Sequence, residues 1–223
     1  MFMYFGNMCN LYPKDGATNL AYTSRPLNLH TDLVFYDETP GVLFLHALEQ
    51  HRGIGGDTIL SDGFKAAEVM RREYPKQFHI LSTANAYFTD RGVDSNSETQ
   101  SGFPYIKLNR GRVINLDSNN DISYIRYSNH LLDSFTDIPV GEVDEFFQAY
   151  KLFYNLNMEH SLHFKINDGE MLVADNHRVL HGRETLQGKS SRHLVITYIT
   201  WDEARCRRRR LQEKFPEILP NLP

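Results

Sequence analysis

The sequence predicts a β-rich α+β domain, a sandwich of short strands with helices inserted, and three observations carry that expectation. Short runs of branched and aromatic residues, bounded by Gly, Pro, Asn or Asp, recur along the 223 residues. The segment 143–154 instead has the period of an amphipathic helix. No repeat, low-complexity stretch or linker divides the chain, so 1–223 reads as a single domain.

The first 40 residues, rich in Asn, Pro, Tyr and Gly, read as loops with short extended pieces. Gly41 to Leu48 is a compact apolar run and predicts a buried strand, and Asp57 to Leu60 predicts the next after the break at Gly53–Gly56. Asp62 is placed to cap a helix through Phe64, Ala67, Val69 and Met70 that must stop before Pro75. From Asn85 to Tyr127 short extended pieces alternate with turns, and Ser118 to Asp121 is expected to join a hairpin of 112–116 with 122–127. Val143, Phe146, Phe147, Tyr150, Phe153 and Tyr154 form one apolar helical face. Strands are expected again at 162–166, 170–174 and 193–200, and a charged helix at 202–215.

Composition excludes several classes. With 41% hydrophobic and 12% aromatic residues the chain can build a core, which rules out disorder. Lys and Arg number 24 against 28 Asp and Glu, so no basic excess points to nucleic acid. No apolar run approaches the roughly 18 residues of a membrane span, and Met1 to Phe5 is too short for a signal peptide. Cys9 and Cys206 cannot form a disulfide framework. The expectation is an enzyme acting on a small molecule, with no nucleic-acid or membrane partner. A cytoplasmic location is expected, with mitochondrial as the alternative.

Four candidate motifs carry little. His160 and His163 lack a third ligand nearby. Asp117, Asn119 and Asp121 open like a calcium loop, but Ile122 and Ser128 occupy the positions that need Gly and Glu. Gly53 to Gly56 lacks the Lys-Ser/Thr of a phosphate loop. The five arginines of 205–210 sit among Asp202, Glu203 and Glu213, as on a solvated helix face.

One constellation remains. His30 and Asp32 are two residues apart, so in extended chain both point to the same side and can reach one ion. A second imidazole from the segment His177 to Arg183 would complete two histidines and a carboxylate, the facial arrangement of non-haem Fe(II) oxygenases. Arg192 begins a later apolar strand, and its fork suits a carboxylate, to which Thr58 could add a hydroxyl. Spacing alone leaves coincidence the commoner origin of a His-x-Asp pair, and an exposed strand-end arginine the slightly favoured reading of Arg192.

Joined, these residues resemble the Fe(II)- and 2-oxoglutarate-dependent dioxygenases of the taurine-dioxygenase superfamily. Within it they resemble the carnitine-biosynthesis branch of γ-butyrobetaine and trimethyllysine dioxygenases. The resemblance rests on Asn19 to Thr23, Leu29 to Asp32, Pro40 to His46, Gly55 to Thr58, Asp62 to Phe64 and Asp175 to Arg183. It implies a double-stranded β-helix, or jelly roll, with Fe(II) held by His30, Asp32 and His181. It implies 2-oxoglutarate as cosubstrate on Arg192 and Thr58, ascorbate as reductant, and a possible homodimer.

The implied reaction is hydroxylation of a small trimethylammonium acid, γ-butyrobetaine to carnitine. The alternatives are trimethyllysine, another small substrate, or a truncated relative without turnover. A quaternary ammonium has no N–H to donate, so ring faces must bind it. By resemblance Tyr22, Tyr198 and Phe5 match cage positions, Asn19 matches a contact to the substrate carboxylate, and Asn129 is a second such contact. Core packing is the plainer reading of the two tyrosines. Cys9 stands where the family has tryptophan. Only 29 residues precede His30, fewer than the resemblance implies, so missing strands and exposed sheet edges are expected.

Overall fold

The computed structural model describes residues 8–14, 19–94 and 103–217. Thirteen strands and four α-helices follow in chain order: β1 Cys9–Leu11, β2 Leu27–His30, β3 Val42–Glu49, β4 Thr58–Asp62, α1 Gly63–Glu73, α2 Pro75–Thr83, β5 Ala86–Asp94, β6 Phe103–Gly111, β7 Ile114–Leu116, β8 Ile122–Ile125, β9 Leu132–Thr136, α3 Val143–Glu159, β10 Leu162–Phe164, β11 Met171–Asp175, β12 Val179–Arg183, β13 His193–Ile199 and α4 Trp201–Lys214. Two four-stranded sheets, β1-β13-β3-β11 and β10-β4-β12-β2, form the sandwich, and their strands pair antiparallel. The expected jelly roll with inserted helices is the fold. A three-stranded sheet, β6-β5-β9, and the hairpin β7-β8 are inserted between α2 and α3.

Alternation along the strands decides which face each sheet buries. In β3, Leu43, Leu45 and Ala47 point inward, and in β13 Leu194, Ile196 and Tyr198 meet them in one cluster. The second sheet turns Leu29, Ile59 and Leu180 toward the helices instead, where they pack with Ala67, Met70, Phe146, Tyr150 and Phe153. Asp62 caps α1 as expected, accepting from Phe64 N and Lys65 N.

Three differences from the sequence reading have physical causes. Pro75 does stop α1, but it also occupies the first position of α2, where its missing N–H costs nothing, so a second helix begins there. The pieces expected between 85 and 111 are two nine-residue strands, because β5 and β6 pair with one another over their whole length. In α3 the buried stripe runs through Phe146, Ala149, Tyr150, Phe153 and Leu156, so Phe147 lies at its edge and is exposed.

The pairing of β12 with β2 sets His181 opposite His30. Gly182 permits it: a Cβ there would lie 2.6 Å from Leu27 O and 3.1 Å from Leu29 N, both backbone atoms that cannot swing aside. Gly182→Ala is therefore expected to cost about 1–3 kcal/mol by overpacking. Denaturant unfolding reads this, and a variant as stable as the parent would contradict the close approach.

Candidate active site

His30 ends β2, Asp32 follows two residues later, and His181 is the central residue of β12. One oxygen of Asp32 is 3.3 Å from His30 Nε2 and the other is 3.4 Å from His181 Nε2. The three ligand atoms lie within 4.8 Å of one another, and both histidines are buried. Two donors about 2.1 Å from one ion and at right angles would stand about 3.0 Å apart, so a compact ion fits between these groups. The donor set is that of a facial iron site, and it leaves the opposite face open.

Each ligand is oriented by a backbone or side-chain partner. His30 Nδ1 sits 2.8 Å from Asn28 O, which fixes the proton on that nitrogen and leaves Nε2 as a lone-pair donor. Tyr198 OH donates to Asp32 Oδ2 at 2.9 Å. Asn176 Oδ1 accepts from Asp32 N at 2.7 Å, while its Nδ2 donates to Asp32 O and Pro40 O. Leu33, at φ 57°, turns the chain left-handed immediately after the carboxylate. His181 Nδ1 is buried and makes no hydrogen bond among the described residues.

Charge is arranged in opposing clusters. Burial alone would raise the Asp32 carboxyl, but the His181 and His30 imidazoles and the Tyr198 hydroxyl outweigh it and hold the group well below the usual carboxylate range. Burial lowers His181 to about 4, against the pull of Asp32, so the imidazole is neutral and able to ligate at neutral pH. At the other side Arg192 and Arg183 are only 6% and 4% exposed, and among the described residues neither meets a carboxylate. Burial lowers Arg192 to about 9, helped by the charge of Arg183, and burial lowers Arg183 to about 10. Two buried guanidiniums without a counterion are costly unless an anion joins them. Gln50 Oε1 accepts from Arg192 Nε at 3.2 Å and fixes the fork.

A cavity of about 370 Å³ connects the two clusters. His30, Asp32, His181, Arg192, Thr58, Asn19, Tyr22 and Tyr198 all line it, so the fold brings together eight of the residues singled out by sequence. Tyr198 does more there than offer a ring, since its hydroxyl holds Asp32. Tyr22 OH lies 2.9 Å from Cys9 Sγ, and Asn19 Oδ1 caps the short 3-10 turn Leu20–Tyr22 by accepting from Ala21 N. Asn129 is exposed in the turn after Ser128 and outside the cavity wall; that turn presents the neighbouring His130 and Leu131 instead. Phe5 lies outside the described residues.

Several wall residues were missed. Asp90, Arg91, Tyr105 and Phe35 come from the inserted β5–β6 hairpin and the segment after Asp32, and nothing local in sequence ties them to the metal site. Arg183 did carry a signal, its i, i+2 spacing from His181, which puts both side chains on one face of β12.

Residues 5–198 match the family described as taurine catabolism dioxygenase TauD, TfdA family. Gamma-butyrobetaine dioxygenase of Homo sapiens is 34% identical over 216 residues, covering 95% of this chain and 54% of the relative. Trimethyllysine dioxygenase, mitochondrial, of Gallus gallus is 34% identical over 205 residues, 89% of this chain and 46% of the relative. The chain thus spans about half the length of these relatives. Among solved structures, a non-heme iron oxygenase, OrfP, in complex with Fe, succinate and (3S)-hydroxy-L-Arg superposes with a TM-score of 0.63 at 18% identity, covering 91% of this chain and 61% of that one. An asparagine oxygenase in complex with Fe(II), 2S,3S-3-hydroxyasparagine and succinate gives 0.61 at 15% identity, over 87% and 57%.

Proton uptake by His181 in metal-free protein is expected only as pH falls toward about 4. The unfolded chain takes that proton near about 6.5, so the His181 contribution to folding stability is complete above 6.5 and declines from there down to the folded value. NMR titration of the imidazole checks this; a midpoint near 6.5 would contradict the buried, neutral ligand.

Proposed function

Because the chain belongs to the TauD, TfdA family of dioxygenases, we propose that it is an Fe(II)- and 2-oxoglutarate-dependent oxygenase that hydroxylates a small trimethylammonium acid, γ-butyrobetaine first among them. The observation that carries the reading is the pairing, in one cavity, of a two-histidine, one-carboxylate cluster with two buried guanidiniums that have no described counterion. Ferrous iron with 2-oxoglutarate would supply the oxidation of an unactivated C–H bond by oxygen, with succinate and carbon dioxide as coproducts.

The chain's own residues supply the rest. His30, Asp32 and His181 hold the metal on one face and leave the cavity side open. Arg192, held by Gln50 and assisted by the Thr58 hydroxyl, grips the distal carboxylate of the cosubstrate. Leu45, Leu194 and Ile196 line the same space with apolar surface and keep water out. For the substrate, the rings of Tyr22, Tyr105 and Phe35 and the Asp90 carboxylate line the cavity. These rings already meet cations, Lys14 over Tyr22 at 4.5 Å and Lys107 over Tyr105 at 4.3 Å, so a trimethylammonium group would share or displace those contacts. Asn19 is placed to meet its carboxylate.

Trimethyllysine is the second reading. Two relatives of similar identity carry the two names. Asp90 and Arg91 stand together in the wall, offering both charges that an amino-acid head group would need, and Cys9 leaves more room than the tryptophan of the family pattern.

Incubation with Fe(II), 2-oxoglutarate, ascorbate and γ-butyrobetaine is expected to yield succinate and a hydroxylated product, with trimethyllysine run in parallel. His30→Ala, Asp32→Ala and His181→Ala should each abolish turnover. Arg192→Ala should raise the 2-oxoglutarate requirement about 30-fold or more, as expected when a buried carboxylate loses its charged partner at about 2 kcal/mol. Succinate formation by all three triad variants would refute the site; turnover of trimethyllysine alone would reassign the substrate.

A further inference from the structure

The substrate side of the cavity depends on a segment that packs on the core cluster of β3 and β13 through Tyr22 and is otherwise held by polar contacts. Residues 19–25 contain one 3-10 turn, Leu20–Tyr22, in which no residue is buried, yet Asn19, Leu20, Ala21 and Tyr22 form a wall of the cavity. Polar contacts hold this segment in place. Arg183 donates to Thr23 O at 2.6 Å, to Arg25 O at 2.5 Å and to Ala21 O at 3.5 Å, and Leu186 N donates to Ser24 O at 2.9 Å. A single guanidinium therefore gathers carbonyls from across the whole segment.

That guanidinium also borders the anion site. Arg183 stands on β12 opposite Thr58 and lines the same cavity as Arg192, whose environment its charge affects directly. With Arg192 uncompensated, two buried positive charges repel, and among the described residues the acceptors of Arg183 are the carbonyls of Ala21, Thr23 and Arg25. A dianion on the Arg192 fork cancels that repulsion. Arg183 can then remain seated against the carbonyls without electrostatic strain.

We infer that Arg183 is a positioning residue through which occupancy of the Arg192 anion site steadies residues 19–25, the wall segment that the ligand-free structure already seats on this guanidinium. The inference rests on the reading of Arg192 as the 2-oxoglutarate site. Coupling of this kind is reciprocal: whatever the cosubstrate does for the segment, a substrate held by the segment does for the cosubstrate.

Hydrogen–deuterium exchange of peptides covering 19–25 tests it without requiring the substrate to be known. The protein is loaded with Fe(II) anaerobically and compared with and without saturating 2-oxoglutarate, whose binding is followed separately by calorimetry. In the parent, 2-oxoglutarate is expected to slow exchange in this segment at least about fivefold, the lower range of allosteric coupling. In Arg183→Met, exchange should be faster and the ratio should fall to near one while 2-oxoglutarate still binds. Arg183→Lys, which keeps the charge but not the fork, should lose at least half of the effect on a logarithmic scale. A parent whose segment ignores bound 2-oxoglutarate overturns the inference, without recourse to any variant. So does an Arg183→Met or Arg183→Lys variant that keeps the full ratio, since a merely structural arginine would raise exchange equally in both states. Failure of the parent to bind 2-oxoglutarate at all is a distinct result, and it removes the cosubstrate reading of Arg192 on which the inference stands.

Discussion

The Asp32 carboxylate, shared between the His30 and His181 imidazoles and held by Tyr198, is the contact around which the rest of the molecule is arranged. Three negative consequences would follow from placing a lone carboxylate there: desolvation, protonation and displacement. The surroundings counter each of them. Imidazole and phenol groups stabilise the charge, Asn176 fastens the backbone on both sides of the residue, and the left-handed Leu33 turns the chain immediately after it. The sandwich itself supplies the final element, because only antiparallel pairing of β2 with β12, across Gly182, sets one imidazole against the other.

Opposite polarity at the two ends of the cavity gives the site its direction. The triad offers a carboxylate and lone pairs, which suit a metal cation; Arg192 and Arg183 offer buried positive charge, which suits an anion. A molecule that bridges the two must present a metal-binding group at one end and a carboxylate at the other. Arg183 extends the same electrostatics to the segment that carries Asn19 and Tyr22, so that segment and the positively charged end of the cavity share one guanidinium.

Legibility in the sequence followed the range of the interactions. Helices α1 and α3 were readable because capping by Asp62 and the spacing of Phe146, Tyr150 and Phe153 are local properties. The His30–Asp32 spacing is equally local, but it outweighed coincidence only through the family resemblance, and β2 ends at His30, so Asp32 stands in the turn that follows. Helix α2 was not, since Pro75 ends one helix and starts another, and a local reading sees only the ending. The roles of Arg183 and Asn176 left little trace because most of their partners are backbone atoms, which any residue supplies. Tyr198 lines the cavity, and its bond to Asp32 depends on how β13 lies against the turn after β2, a distance of 166 residues along the chain. Asn129 shows the limit of resemblance: the motif position lies beside the cavity, but the turn presents His130 and Leu131 to it instead.

Anomalous diffraction at the iron edge, from crystals soaked anaerobically with Fe(II), addresses the shared ion most directly. The account predicts one peak about 2.1 Å from His30 Nε2, His181 Nε2 and an Asp32 oxygen together. A peak elsewhere, or none with iron in excess, would contradict it.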